Sequence, residues 1–202
     1  MRIKRLVLGT TNQGKLQEWK RFLKDFPIIS ISEVGSFPEP QESGKTYSEN
    51  AKIKAKYYAV LTGEFVFSED GGFEVDALGG LPGVKSRRIL PGEKDGTDEE
   101  LNEFVLSRLK GLPREKRTAR LSFVACVSAP NGNIIFEDTG SLEGFVVEET
   151  RAVTIPGYPF RSILFIPGAG KTYAELSEAE HKSLSHKKAA AQRLAKFLLE
   201  YN

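Results

Sequence analysis

The chain has a single cysteine, Cys126, in 202 residues, and no apolar stretch near the length a membrane-crossing helix needs. The first scarcity excludes an intramolecular disulfide and gives no ground for a cysteine-built zinc site. Cys126 itself sits in the apolar run 123–127 and reads as a buried, inert thiol. The second, with an apolar segment Leu6-Val7-Leu8 too short for a signal sequence, sets the expectation of a cytoplasmic protein without a membrane partner. An excess of one charge is also missing. With 29 Lys and Arg against 27 Asp and Glu, the formal net charge is +2, so nothing calls for nucleic acid or an anionic surface. Basic residues do gather between Lys171 and Arg193, where a solvated helix face is the plainer reading. Internal repeats, low-complexity tracts and linkers are absent too. What remains is an ordinary globular composition, 40% hydrophobic and 28% charged, long enough for one sizeable core or two lobes. A single domain over 1–202 is expected.

Apolar spacing sets out the elements. Ile3 to Leu8 reads as a buried strand, followed by the polar turn Gly9-Thr10-Thr11-Asn12-Gln13-Gly14. Leu16, Trp19, Phe22, Leu23 and Phe26 then recur at helical spacing until Pro27, and Ile28 to Ile31 is a second strand. Strand, polar turn and helix together aim backbone N–H groups and a helix N-terminus at a bound anion. After a Pro- and Gly-containing loop over Gly35–Thr46, Thr46-Tyr47-Ser48-Glu49 fits a capping box, with Ala51, Ala55, Tyr58 and Ala59 on one helical face. Phe65-Val66-Phe67 is a strand expected to end in a turn over Ser68-Glu69-Asp70-Gly71-Gly72, where open α/β sheets build ligand sites. Thr97 or Asp98 caps a helix bearing Leu101, Phe104, Val105 and Leu109. Ala119 to Val127 alternates with period two, Pro130-Asn131-Gly132-Asn133 turns, and Ile134 to Glu137 returns. Gly144 to Val147 is read as a further strand, and Ala190, Leu194, Phe197, Leu198 and Tyr201 mark a terminal helix with Ser185 as its N-cap. The predicted class is α/β: a mixed, elongated sheet flanked by helices, in two lobes with a central cleft.

Glu69 and Asp70 are neighbours. On an extended backbone they would face opposite ways, whereas in a turn they converge, and converging carboxylates bind Mg²⁺ together with waters and phosphates. Glu49 is the third candidate ligand, although position three of a capping box would alone account for it. A solvated turn is likewise the plain alternative for Glu69-Asp70. Lys15 opens a helix against the positive end of its dipole, a conflict of about 0.3–1 kcal/mol that a shared phosphate would remove. Gly170-Lys171-Thr172 is not a Walker loop, since Phe165 stands where glycine is required, and Gly79 to Gly83 does not fit a dinucleotide fingerprint. His181 and His186 lack a metal-like partner in sequence, which favours a phosphate or base contact. Ser185 and His186, adjacent and without a nucleophile turn, do not make a catalytic triad.

In this order, Thr10 to Lys15, Thr46 to Ala51, the long block Ser68 to Val84, Lys171 to Leu176 and Ser185-His186 resemble the inosine triphosphate pyrophosphatase family. The resemblance spans nearly the whole chain. It implies a nucleotide cleft, Mg²⁺-dependent hydrolysis of the α–β phosphate bond of deaminated purine nucleotides such as ITP, dITP and XTP, and a homodimer. Thr10, Thr11, Asn12, Lys15 and Gly71 would bind the triphosphate. Glu49, Glu69 and Asp70 would ligate Mg²⁺, with Asp70 either a ligand or the base for the attacking water, and Arg88 would help assemble the site. In the base-contacting part the chain departs from the family. A Phe-Gly-Tyr-Asp-Pro run is replaced around Pro159-Phe160-Arg161-Ser162-Ile163, a Lys-Asn pair by His181-Lys182, and an arginine by Lys187. Phe160, Arg161, Ser162, His181, His186 and Lys187 are therefore the candidate base contacts. Arg-to-Lys loses a planar fork of donors, so base preference is expected to differ from the family norm. The competing readings are a nucleotide-binding module with little or no catalysis, and a phosphatase releasing orthophosphate.

Overall fold

The computed structural model describes residues 3–92, 95–150 and 155–201. Along the chain run β1 (Leu6–Leu8), α1 (Gln13–Phe22), β2 (Ile28–Ser30), α2 (Ile31–Val34), α3 (Tyr47–Thr62), β3 (Val66–Val75) and α4 (Asp98–Arg108). They are followed by β4 (Thr118–Ser128), β5 (Ile134–Val146), β6 (Leu164–Ile166), β7 (Lys171–Thr172), α5 (Glu178–Leu184) and α6 (Lys187–Glu200). The strands pair in the order β2-β1-β3-β4-β5-β6-β7. β1 lies parallel to β2 and β3, while β5–β6 and β6–β7 are antiparallel. The sheet is thus mixed and helix-flanked, as the alternation of periods predicts. The chain divides into two compact units, one of Met1–Asp70, Phe123–Gly140 and Lys187–Asn202, the other of Gly71–Ser122 and Ser141–His186.

In the first unit, period two sorts side chains between two faces. Leu6, Leu8, Phe67, Phe123, Ala125 and Val127 meet Leu16, Trp19 and Leu23 of α1 and Ala190, Leu194 and Leu198 of α6. Trp19 is wholly buried and packs edge-on to Phe67, ring centroids 4.5 Å apart. The alternate positions turn to α3, where Val7 and Val66 meet Tyr58 and Ala59, and Cys126 meets Ala51 and Ala55. The alanines let this helix approach closely.

In the second unit, Phe73, Val75, Ala119, Val146, Ile163 and Leu164 form a core with Leu101 and Val105 of α4 and with Tyr173. Arg117 is buried there. Its guanidinium donates to the backbone carbonyls of Val146, Leu109 and Val147, which satisfies its buried N–H groups.

Several boundaries differ from the reading of the sequence. The expected turn at Ser68–Gly72 is part of β3, which continues without a break to Val75; Phe73 and Val75 extend the buried alternation, and two flexible glycines do not stop it. Gly144 to Val147 is not a separate strand, since Gly144 lies within β5. A Cβ there would stand 2.2 Å from the Phe165 carbonyl, so this glycine marks a close approach of β5 to β6. Ser185 closes α5, and α6 starts at Lys187. The short helices α2 and α5, each with a Ser capping box, fell below the length at which periodicity is visible. Thr46 caps α3 as expected, and of the two candidates for α4 it is Thr97 that caps, with Asp98 the first helical residue. Among the described residues, no helix is long and apolar enough to cross a membrane.

Candidate active site

The site grows from the parallel pairing of β1 with β3. Gly9, just past β1, donates its N–H to the Phe67 carbonyl at 2.8 Å, which sets the turn leaving β1 beside Ser68-Glu69-Asp70. Glycine is required there: a Cβ would meet Ser68 Oγ at 2.5 Å, Val66 Cγ1 at 3.0 Å and Tyr58 Cδ2 at 3.1 Å. Beyond it, Thr10 Oγ1 accepts from the Asn12 N–H at 3.2 Å, and Asn12 Oδ1 caps α1 by accepting from the Lys15 N–H at 3.1 Å. Thr11 donates its hydroxyl to Glu39 at 2.8 Å. Lys15 thus stands in the first turn of α1, partly open to solvent.

Because β3 stays extended, Glu69 and Asp70 project to opposite faces. Glu69 points to α1 and α6 and is almost wholly buried. Its Oε1 accepts from Lys187 Nζ at 2.9 Å and lies 3.3 Å from Lys15 Nζ, and its Oε2 accepts from the Trp19 indole at 2.5 Å. Lys187 Nζ also donates to Glu18 at 2.8 Å. Burial alone would push the Glu69 carboxyl up, but Lys187 and then Lys15 overcome it and hold the group well below the usual carboxylate range. Burial likewise works against the Lys187 ammonium, and Glu69 and Glu18 outweigh it, holding that group above an ordinary lysine. The pair is charged, and the low dielectric that makes it costly also makes it firm.

Asp70 points to α3. Its Oδ1 accepts from Lys54 Nζ at 3.2 Å and its Oδ2 from Asn50 Nδ2 at 3.3 Å. Lys54 also pairs with Glu42 at 3.1 Å; burial opposes its charge, and Asp70 and Glu42 together raise its pKa regardless. Asn50 is buried, and its Oδ1 accepts from the Gly44 N–H at 2.8 Å, tying the 35–46 loop to the same carboxylate. Asn50 and Lys54 are four apart on one helix face, which is the sequence signal that could have found them. Glu42 and Glu18 carry no such signal.

Glu49 does what the capping box alone requires. It is exposed, and its Oε2 accepts from the Thr46 N–H at 3.2 Å and the Lys45 N–H at 2.5 Å. Among the described residues, no three His, Cys, Asp or Glu side chains are grouped to hold a metal ion. Glu69 and Asp70 face opposite ways, each already engaged by lysine, so Glu49, Glu69 and Asp70 do not form a preformed cage. Such a cage is not what Mg²⁺ ordinarily needs: it keeps its waters and binds through one or two carboxylates plus phosphate oxygens. Asp70, half-buried and fixed on both oxygens by neutralising or neutral donors, fits that lesser role.

The remaining candidates lie in the second unit, apart from Lys187, with Gly71 half-buried on β3. Phe160 is buried and stacks on Phe73 at 4.9 Å, and Ser162, also buried, accepts from Asn102 Nδ2 at 3.0 Å and donates to the Pro159 carbonyl at 3.1 Å. Arg161 is the half-exposed member of the three. Its guanidinium carbon lies 3.8 Å from the Tyr158 ring centroid and 5.1 Å from that of Tyr173, and His181 meets the same Tyr173 edge-on at 4.6 Å. His186 is half-buried just before α6.

Comparison with known proteins places this arrangement. The sequence model of the Ham1 family matches residues 6–197. A dITP/XTP pyrophosphatase of Desulforamulus reducens is 37% identical over 196 residues, 96% of this chain and 95% of that protein. One of Bacillus subtilis is 36% identical over 198 residues, 97% of this chain and 98% of that protein. Among solved structures, a HAM1 protein from Coxiella burnetii superposes with a TM-score of 0.85 at 32% identity, covering 98% of this chain and all of that one. The Staphylococcus aureus Ham1 protein gives 0.84 at 31% identity with the same coverage. On a match this long, in sequence and in fold, the chain belongs to the Ham1 family.

Proposed function

We propose that the chain is a nucleoside triphosphate pyrophosphatase. It hydrolyses the α–β phosphate bond of triphosphates such as dITP and XTP to monophosphate and pyrophosphate, and so rids the nucleotide pool of damaged members. The observation that carries this reading is the register of Gly9 with Phe67, which sets the cation-bearing turn 10–15 beside two consecutive carboxylates. The names of the curated relatives support it.

In this scheme Lys15 and the N–H groups at the start of α1 grip phosphate oxygens, offsetting charge that grows on them as the bond breaks. Asp70, oriented by Asn50 and Lys54, either accepts the proton of the attacking water or holds a Mg²⁺ that arrives with the phosphates; Glu49 and Glu69 are the further carboxylates implied for that ion. Once bound, Mg²⁺ would polarise phosphoryl oxygens and make bound water more acidic. The altered residues Phe160, Arg161, Ser162 and His181 make base preference the property most open to change. Homodimer formation belongs to the same proposal, and sedimentation of the intact chain checks it.

The test is pyrophosphate release with Mg²⁺ from ITP, XTP, dITP, GTP, ATP and pyrimidine triphosphates, with the product identified. Absence of turnover on all of them sinks the proposal, and saturable binding without hydrolysis would make the chain a nucleotide-binding module instead. Orthophosphate as product would make it a phosphatase.

A further inference from the structure

Four charged side chains of the first unit form an alternating row. Glu18 accepts from Lys187 at 2.8 Å, Lys187 donates to Glu69 at 2.9 Å, and Glu69 lies 3.3 Å from Lys15. The row is graded from inside to outside: the Lys187 and Glu69 side chains are 7% and 3% exposed, that of Lys15 24%. A carboxylate buried as deeply as Glu69 must have a cation, because an unpaired charge there is strongly disfavoured. Two lysines reach the same oxygen, and the buried one is closer.

We infer that Lys187 is a positioning residue for Lys15: as the permanent counter-ion of Glu69, it keeps the Lys15 ammonium from being locked onto that carboxylate and leaves it for the phosphates of the substrate. This rests on the reading of Lys15 as a phosphate ligand. Lys187 is suited to the task because it cannot leave. Glu18 holds its ammonium from the other side, and the rings of Trp19 and Phe123 lie 5.8 Å from its nitrogen. The Trp19 indole donates to the second oxygen of Glu69 and holds the carboxylate in place beside Lys187. The same neutralisation weakens repulsion between Glu69 and incoming phosphates. With Lys187 removed, Lys15 becomes the remaining lysine on Glu69 among the described residues, and the two would close on each other.

Calorimetric binding of inorganic tripolyphosphate without added divalent metal tests this on the intact protein, comparing wild type, K15M, K187M and E69Q/K187M. Removing Lys187 alone should weaken binding about tenfold, the loss of one good ionic contact. Removing Glu69 as well abolishes the charge that would capture Lys15, so the double variant should bind within about threefold of wild type. Unchanged binding by K187M overturns the inference, and so does a double variant as weak as K15M, since Lys187 would then be a phosphate ligand or merely structural. In the double variant the buried Glu69 charge is removed together with its counter-ion, and only the half-buried Glu18 carboxylate loses Lys187, so it decides the question even where K187M does not fold. Equal binding by wild type and K15M overturns the underlying reading of Lys15 instead.

Discussion

Glu69 and Asp70 are consecutive on β3, yet one carboxylate is held by Lys187, Lys15 and Trp19 from α6 and α1, and the other by Lys54 and Asn50 from α3. They occupy different electrostatic settings and should respond differently to the same substitution. Neither is a solvated acid on a turn.

For Asp70→Asn, turnover should fall by about 10²–10⁴-fold, the usual contribution of a positioned acid–base group. Melting temperature should change little, because Lys54 keeps Glu42 as a partner. Steady-state pyrophosphate release beside a thermal melt separates the two effects. Turnover at the wild-type level would remove Asp70 from the chemistry.

Gly9→Ala should destabilise the fold by about 1–3 kcal/mol, the range for forcing a methyl group into packed surroundings. The new methyl meets Ser68 Oγ at 2.5 Å, with Val66 and Tyr58 behind it. Urea denaturation measures the loss, and a stability equal to wild type would mean that β1 and β3 have more slack than the distances allow.

Burial pushes the Cys126 thiol up to about 12. At pH 8 the native protein should therefore react with a thiol reagent only on the timescale of unfolding, whereas denatured protein reacts at once. Rapid labelling of native protein would contradict the packing of Cys126 against Ala51 and Ala55.

Glu180 supplies an acid-sensitive clamp in the second unit. The Ser177 backbone N–H and the Lys171 ammonium, the latter at 3.0 and 3.1 Å, lower its carboxyl to about 2. A depressed carboxylate stabilises above its unfolded pKa and loses that contribution as pH falls through the folded value. The cap of α5 should hold near neutrality and weaken between roughly pH 4.5 and 2. NMR titration of the Glu180 carboxyl checks this, and Lys171→Met should move its midpoint upward.

Much of the fold is legible in the sequence. Periodicity finds the faces of α1, α3 and α6, the Thr46–Glu49 box marks the start of α3, and Thr97 or Asp98 that of α4, because these signals are local. The error at 68–72 has a physical source: glycine permits a turn without requiring one, and Gly71-Gly72 lie between buried strand residues that decide the matter. The partners of the acids are far less legible: beyond the four-residue spacing of Asn50 and Lys54, no local signal points to them. Lys187 reaches Glu69 across 118 positions, and in the sequence it stood only as a candidate base contact. Lys54 meets Asp70 only because β3 brings that carboxylate to α3.

Trp19 is the only tryptophan in the chain. Its indole N–H is bonded to Glu69, and the Lys187 ammonium lies 5.8 Å from its ring. Indole emission responds to the charges around it, so the protein carries an unlabelled optical reporter wired to its acidic centre. A phosphate drawn to Lys15, or a proton taken up by Glu69, alters the field at that ring and shows itself as a change in intrinsic fluorescence.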